Sequence, residues 1–501
     1  MRKRSILSVL LLFIVPPAGA GALANALQPD AVAGKAIFVR GTGASGAIKA
    51  AIGAGSVVVP ATGAVCASCH GRDGSGRPEG GIAPPDIRWP KLDAAADRPG
   101  PGGGARRAYD PPAIIRAVTQ GVDVEGRPLD PVMPRYRLSL DDAADLVAYL
   151  KTLGTAPEPG VTAETLTLAT ILPPDGGPIE AVLRAYVDRL DTEGGLFGRQ
   201  VRLIAAPGGA APAETARQLG AAQPYFALVA ASIAHDEAAM AAFAEAAGVP
   251  VIGAETLLPD AAGLSQRYLF FLDGGVAGEA RVLARHAAGL GSAPAAVVAA
   301  RDVLAQPAAD AAVSVLERAG IPAPRRVLTP ADSPAALVAE FSKAGLDRII
   351  WLAPGIASFA AAADAAAYHP LLLAPAEFGA DLLSAERALP IGVAFRTAPP
   401  DRSPEGLAFY RDLAEAYHLK GENQAGQIRA LVAIRLLVEA LQRAGRDVTR
   451  EQLVDTLANI RDFRTGLIPP ISYGPSRRIG TTGAWIVQPG AAPEWLDPAR
   501  R

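Results

Sequence analysis

The sequence predicts a multidomain protein in which a small all-α region precedes a larger α/β region. Three observations carry that reading. The chain has 501 residues, too long for one ordinary core. Helical apolar patterns joined by glycine-rich loops fill residues 28–154, up to the Pro/Gly stretch Gly154 to Thr162 (GTAPEPGVT). From Leu166 onward, short β-rich apolar runs alternate with alanine-rich helical stretches, the signature of an open α/β sheet. The expected divisions are 1–26, 28–154, a linker at 155–162, and 163–501.

The N-terminus reads as an export signal. Arg2, Lys3 and Arg4 form a basic start, Ile6 to Val15 is apolar except for Ser8, and small residues follow. Ala18-Gly19-Ala20 and Ala24-Asn25-Ala26 are candidate cleavage sites, giving a signal peptide over residues 1–26. An uncleaved anchor is the weaker alternative, because about 20 apolar residues are needed to span a bilayer. No cysteine lies near the signal to carry a lipid, and no later run has transmembrane length. A soluble periplasmic protein is expected. Half the residues are apolar, and the net charge of −2 is spread over interspersed acids and bases. No basic stripe with interleaved aromatics appears, which argues against a nucleic-acid partner.

The helices of the first region can be placed one by one. Asp30 caps a short helix carrying Val32, Ile37 and Phe38. Asp110 and Pro111 open a second, with Ile114, Ile115 and Val118 as its apolar stripe until Gly121. Ser139 and Asp142 resemble a capping pair for a third, where Ala143, Leu146, Val147, Leu150 and Leu153 follow helical spacing until Gly154. Helices on long glycine-rich loops make a poor core by themselves; a large apolar cofactor would supply the missing buried surface.

The only two cysteines are Cys66 and Cys69, and His70 follows the second directly. That spacing suits two thioether bonds to a porphyrin and an imidazole on its iron from the same turn, giving one haem c. The competing readings are a structural zinc site, a redox dithiol and a disulfide. Zinc lacks a second ligand pair nearby, a dithiol lacks a thioredoxin-like βαβ unit, and a disulfide leaves His70 unexplained. For the sixth ligand, the remaining histidines His235, His286, His369 and His418 all lie in the later α/β region. Of the two later methionines, Met240 sits in an alanine-rich helical pattern, whereas Met133 lies between Pro131 and Pro134 just before the last helix. A buried methionine without a ligand role is the alternative for Met133. His/Met ligation leaves no open iron position and favours electron transfer over oxygen or peroxide chemistry.

On these residues, 28–154 resembles a class I cytochrome c domain. The matching features are Gly34-Lys35-Ala36-Ile37-Phe38, CASCHG at 66 to 71, Gly81-Ile82-Ala83-Pro84-Pro85, Ile114 to Gly121, Met133-Pro134 and Tyr149-Leu150. The resemblance implies that the carbonyl of Pro84 or Pro85 accepts from His70 and fixes its ring. The long insert Gly41 to Val65 departs from the family pattern and is expected to wrap one haem edge or to dock a partner.

In the second region, strands are expected at Leu166 to Leu172, Val201 to Ala205, Tyr225 to Ala231, Val249 to Gly253, Ala295 to Ala300, Arg348 to Leu352 and Pro370 to Leu373. A helix through Ile179, Val182, Leu183, Tyr186 and Leu190 follows the first, and then comes the turn Glu193 to Arg199, within EGGLFGRQVRL. With Phe226 to Ser232, Gly248 to Ile252, the late helix Gln427 to Ala444 and Trp485-Ile486-Val487, this order resembles periplasmic solute-binding proteins of the branched-chain amino-acid (Leu/Ile/Val-binding, type 1) family. That resemblance implies two α/β lobes joined by crossover strands, with the ligand in the cleft at strand carboxyl ends. Ser232, Arg301 and Asp302 are the cleft candidates. Ser232 is followed by Ile233-Ala234-His235-Asp236 instead of further hydroxyl residues, which argues against an amino-acid ligand.

The leading expectation is a periplasmic electron carrier with a solute-binding or docking domain. Its partners would be a redox protein, such as a periplasmic dehydrogenase or another cytochrome, and a small solute. The alternative is the substrate-binding receptor of an ABC permease with an accessory haem domain. No Ser/His/Asp or metal-ligand constellation in the second region suggests an enzyme.

Overall fold

The computed structural model describes residues 29–44, 46–53, 57–76, 81–97, 105–209, 211–262, 266–384, 387–397 and 404–497. The expected signal at 1–26 lies outside them. The chain divides into two compact units, the first ending at Pro157 and the second starting at Glu158.

In the first unit, Asp30 starts α1 (Ala31–Arg40) by accepting from the Val32 amide, and Gly41 ends it in the left-handed region at φ 69°. The second helix, α2, is Cys66–His70. Asp110 caps α3 (Pro111–Gln120), and Ser139 caps α4 (Leu140–Leu150). Helix α1 crosses α4 at Gly34, where an added Cβ would stand 2.0 Å from the Asp145 carbonyl oxygen. Only glycine permits that approach. The crossing brings the rings of Phe38 and Tyr149 to 5.4 Å and lets the Asp145 carboxylate accept from the Asp30 amide at 2.7 Å.

The insert between α1 and α2 adds strands to these helices. Strand β1 (Lys49–Ile52) pairs antiparallel with β2 (Val57–Pro60) on one side and with β3 (Arg135–Arg137) on the other. Ala50 lies opposite Val59 and Tyr136. The insert is thus fastened to the chain directly after Met133.

The second unit holds two sheets. The first is entirely parallel: β4 (Thr165–Leu172), β5 (Gln200–Pro207), β6 (Ala227–Val229), β7 (Val251–Ile252), β8 (Leu269–Asp273) and β14 (Ile479–Thr481) in the order β14-β8-β7-β6-β4-β5. Helix α5 (Gly177–Thr192) and the long α7 (Gln424–Ala444) share its core. The second sheet has β9 (Ala295–Ala299), β10 (Arg325–Val327), β11 (Arg348–Leu352), β12 (Leu371–Pro375) and β13 (Ile391–Phe395) parallel. Strands β15 (Ala484–Val487) and β16 (Glu494–Leu496) run antiparallel at its edge, after β13. Both faces of β9 are covered: Val297 and Ala299 face one core, Ala296 and Val298 the other. Burial on both sides explains why these strands read as continuous apolar runs.

The chain passes between the lobes at β8, which runs from the first core straight into α6 (Gly275–Gly289) of the second. It passes again after β13, and finally through Thr482 and Gly483 between β14 and β15. Residues 158–162 are tied into this unit: Thr167 donates to the Gly160 carbonyl at 2.7 Å, and Val161 bridges Leu166.

Candidate functional site

In α2, residues at i, i+3 and i+4 share one side of a turn, which places Cys66, Cys69 and His70 together. Both cysteines are free thiols. Burial pushes the Cys66 thiol up to about 11, with the neighbouring Tyr136 hydroxyl opposing in part. His70 is buried, and its Nδ1 stands 3.1 Å from the Pro85 carbonyl oxygen. A carbonyl only accepts, so Nδ1 carries the proton and Nε2 keeps a lone pair. Burial also holds the imidazole below its ordinary pKa, with that carbonyl opposing in part, so the neutral ligand form prevails near neutrality.

Tight backbone contacts position Pro85. Gly76 has φ +86°, and a Cβ there would stand 2.4 Å from the Pro84 carbonyl oxygen. Its amide donates to the His70 carbonyl at 2.8 Å, so the loop after α2 folds back onto it. The Pro84 carbonyl thus faces Gly76 while the Pro85 carbonyl faces His70.

Met133 is half-buried on a short turn closed by its amide to the Asp130 carbonyl at 3.1 Å. Three residues later, the Tyr136 hydroxyl donates to the Ala64 carbonyl at 2.6 Å, joining the methionine segment to the approach to Cys66. Ile87, Trp89, Ile115 and Val118 are only partly buried against the core of this unit. Two thiols, an imidazole whose second nitrogen is already engaged, a thioether and this unfinished apolar surface fit a covalently attached haem. When bound, such a group supplies a one-electron iron couple.

In the second unit, Ser232 follows β6, half-buried, and bridges Glu255 in parallel register. Glu255 accepts from Arg429 of α7 at 2.8 Å, and Arg429 also pairs with Asp273, the last residue of β8. Asp273 in turn meets Arg396, just after β13, at 3.5 Å. Arg396 reaches Glu377 and, at 3.8 Å, Glu279 of α6. This ion network joins residues of the first lobe to residues of the second at the crossings. Burial pushes the Asp273 carboxyl up, but Arg429 and Arg396 more than reverse it and hold it at about 2. Burial, with Glu377 beside it, raises Glu279 well above the usual carboxylate range despite Arg396.

Arg301 and Asp302 lie exposed beyond β9. The Asp302 carboxylate is engaged at the start of the next helix, accepting from Leu304 at 3.0 Å and Ala305 at 2.7 Å. Sequence reasoning missed the network. Its one signal was a charge directly ending an apolar run, as in Leu269-Phe270-Phe271-Leu272-Asp273 and Ile391 to Arg396.

Comparison with known proteins agrees with both units. The family model described as periplasmic binding protein matches residues 171–492, and the cytochrome c model matches 54–154. No curated protein matches the chain. Among solved structures, a putative branched-chain amino acid ABC transporter from Rhodospirillum rubrum is 18% identical with TM-score 0.56, covering 67% of this chain and 100% of that one. An ABC transporter substrate-binding protein from Desulfitobacterium hafniense, in complex with Leu, is 17% identical with TM-score 0.55, over 66% and 100%. A solute-binding protein from Rhodopseudomonas palustris BisB5, in complex with 3,4-dihydroxy benzoic acid, is 17% identical with TM-score 0.51, over 64% and 92%. The chain belongs to the periplasmic binding protein family and carries a cytochrome c domain ahead of its solute-binding fold.

Proposed function

We propose that the protein is a periplasmic electron carrier. It holds one haem c through Cys66 and Cys69, with His70 and Met133 as axial ligands, and it joins this centre to a solute-binding or docking unit. The observation that carries the reading is the buried His70 with Nδ1 on the Pro85 carbonyl, a ligand fixed in orientation. With both His70 and Met133 holding its iron, the group would exchange electrons rather than bind oxygen or peroxide. Its donor would be a redox partner protein such as a periplasmic dehydrogenase or another cytochrome.

Ser232 is the best placed of the three cleft candidates, because it adjoins the Glu255–Arg429 pair. Arg301 is exposed, and Asp302 already serves as a helix cap. The charged residues beside Ser232 suit a small polar solute. The second reading, a receptor that delivers solute to an ABC permease, is favoured by the transporter likeness of the fold.

Two measurements on the holoprotein separate the readings. Stopped-flow mixing with periplasmic dehydrogenases should reduce the haem in the carrier reading; failure with every donor would count against it. Calorimetry against amino acids, small aromatic acids and alcohols should give one tight ligand in the receptor reading, whatever the haem redox state.

A further inference from the structure

We infer that Arg135, together with the strands of the insert, is a positioning device for Met133. The inference rests on the His70/Met133 reading above and gives the insert a task within it.

The guanidinium of Arg135 turns back along its own chain. Its Nη1 donates to the Met133 carbonyl, and its Nη2 donates to the carbonyls of Leu129 at 3.0 Å and Asp130 at 3.2 Å. Three acceptors in one short loop are thereby gathered on a single rigid, always-charged fork. The fork is held from behind by Gly121 at the end of α3, where an added Cβ would stand 1.7 Å from the Arg135 Nε. The Leu129 amide closes the same loop by donating to the Gly121 carbonyl at 2.8 Å. Pro131 and Pro134 fix their own φ angles and bias Asp130 and Met133 toward extended backbone, but they do not draw the loop's ends together.

The insert holds the loop at its root. Arg135 lies opposite Ala51, Tyr136 opposite Ala50, and Arg137 opposite Lys49. Strand β1 is therefore the central strand that ties the residues after Met133 to the segment leading into the attachment helix. A thioether is a weak, neutral ligand on a flexible side chain, so the conformation of its loop decides how firmly it stays on the metal. Arg135 touches neither haem nor iron in this account. It acts through the backbone of residues 129–133.

The test uses the full-length holoprotein in wild-type, Arg135→Ala, Arg135→Gln and Met133→Ala forms. Two readouts go beyond folding: the weak red absorption band of a methionine–iron(III) bond, and the affinity of the ferric form for added imidazole. The Arg135→Ala protein should keep its covalent haem but show a weakened band and bind imidazole at least about tenfold more tightly, equivalent to ~1.4 kcal/mol. Arg135→Gln, which retains one amide donor, should fall between it and wild type; should Arg135→Ala fail to mature, this variant decides. Band and affinity unchanged from wild type in the Arg135 variants, with the band lost in Met133→Ala, would overturn the positioning role and leave the ligation intact. A wild-type protein without the band would overturn the ligation itself.

Discussion

His70 Nδ1 stands 3.1 Å from the Pro85 carbonyl oxygen, which joins α2 to the loop that carries Pro84 and Pro85. The contact depends on how closely residues 71–76 fold under that loop. Gly76→Ala would drive a Cβ to 2.4 Å from the Pro84 carbonyl oxygen at a φ of +86°. The variant should lose about 1–3 kcal/mol of stability. Thermal unfolding followed at the haem absorption checks this, and an unaltered melting curve would contradict it.

Covalent attachment gives a second expectation. The wild-type chain should retain one haem after extraction with acidified organic solvent, because two thioethers hold it. Each single variant, Cys66→Ser or Cys69→Ser, should keep the haem covalently bound but shift the pyridine haemochrome band to the red. The double variant should release all of it.

The inter-lobe network predicts a stability loss far from the haem. Arg429→Met leaves Asp273 and Glu255 without their shared cation and should cost about 3–5 kcal/mol. Adding Asp273→Asn removes a buried carboxylate that keeps only Arg396, at 3.5 Å, and leaves an acceptor for the Gly275 amide, so the double variant should be more stable than Arg429→Met alone. Chemical denaturation of the three proteins measures the difference. Equal losses would mean that the network is not a coupled unit.

Asp273 and Glu279 should pull stability in opposite directions with pH. Asp273 is held at about 2 in the folded protein, below the ordinary carboxylate value near 3.9. Its contribution is present above about pH 4 and is lost as pH falls toward 2, so the deficit of Asp273→Asn should shrink over that window. Glu279 is raised in the folded protein, so folding favours its proton and stability falls as pH climbs above the unfolded value near 4.3. The Glu279→Gln protein lacks that titration and should gain on wild type as pH rises. Denaturation midpoints across acid to neutral pH give both signs.

What could be read from sequence was what is local in the chain. The caps at Asp30, Asp110 and Ser139 sit next to the amides they satisfy, and the structure pairs each of them so. The haem motif spans one helical turn, and Ile349 to Leu352 is a continuous apolar run buried on both faces of its strand. The insert was not legible, because β1 and β2 are short, alanine- and valine-rich pieces, and the second partner of β1, Arg135–Arg137, lies far along the chain. Nor was the ion network. Glu255, Asp273, Arg396 and Arg429 come from separate segments that only the two-lobed fold brings together. Strands Leu269–Asp273 and Ile391–Phe395 escaped notice, although they carry two of those charges at or just after their ends.

Carbon monoxide binding to the reduced holoprotein shows whether its iron has an open position. With Met133 on the iron opposite His70, the wild-type spectrum should stay unchanged under carbon monoxide, while Met133→Ala should form the carbonyl adduct in proportion to its haem. Immediate adduct formation by the wild-type protein would show an open iron position and contradict the electron-carrier account.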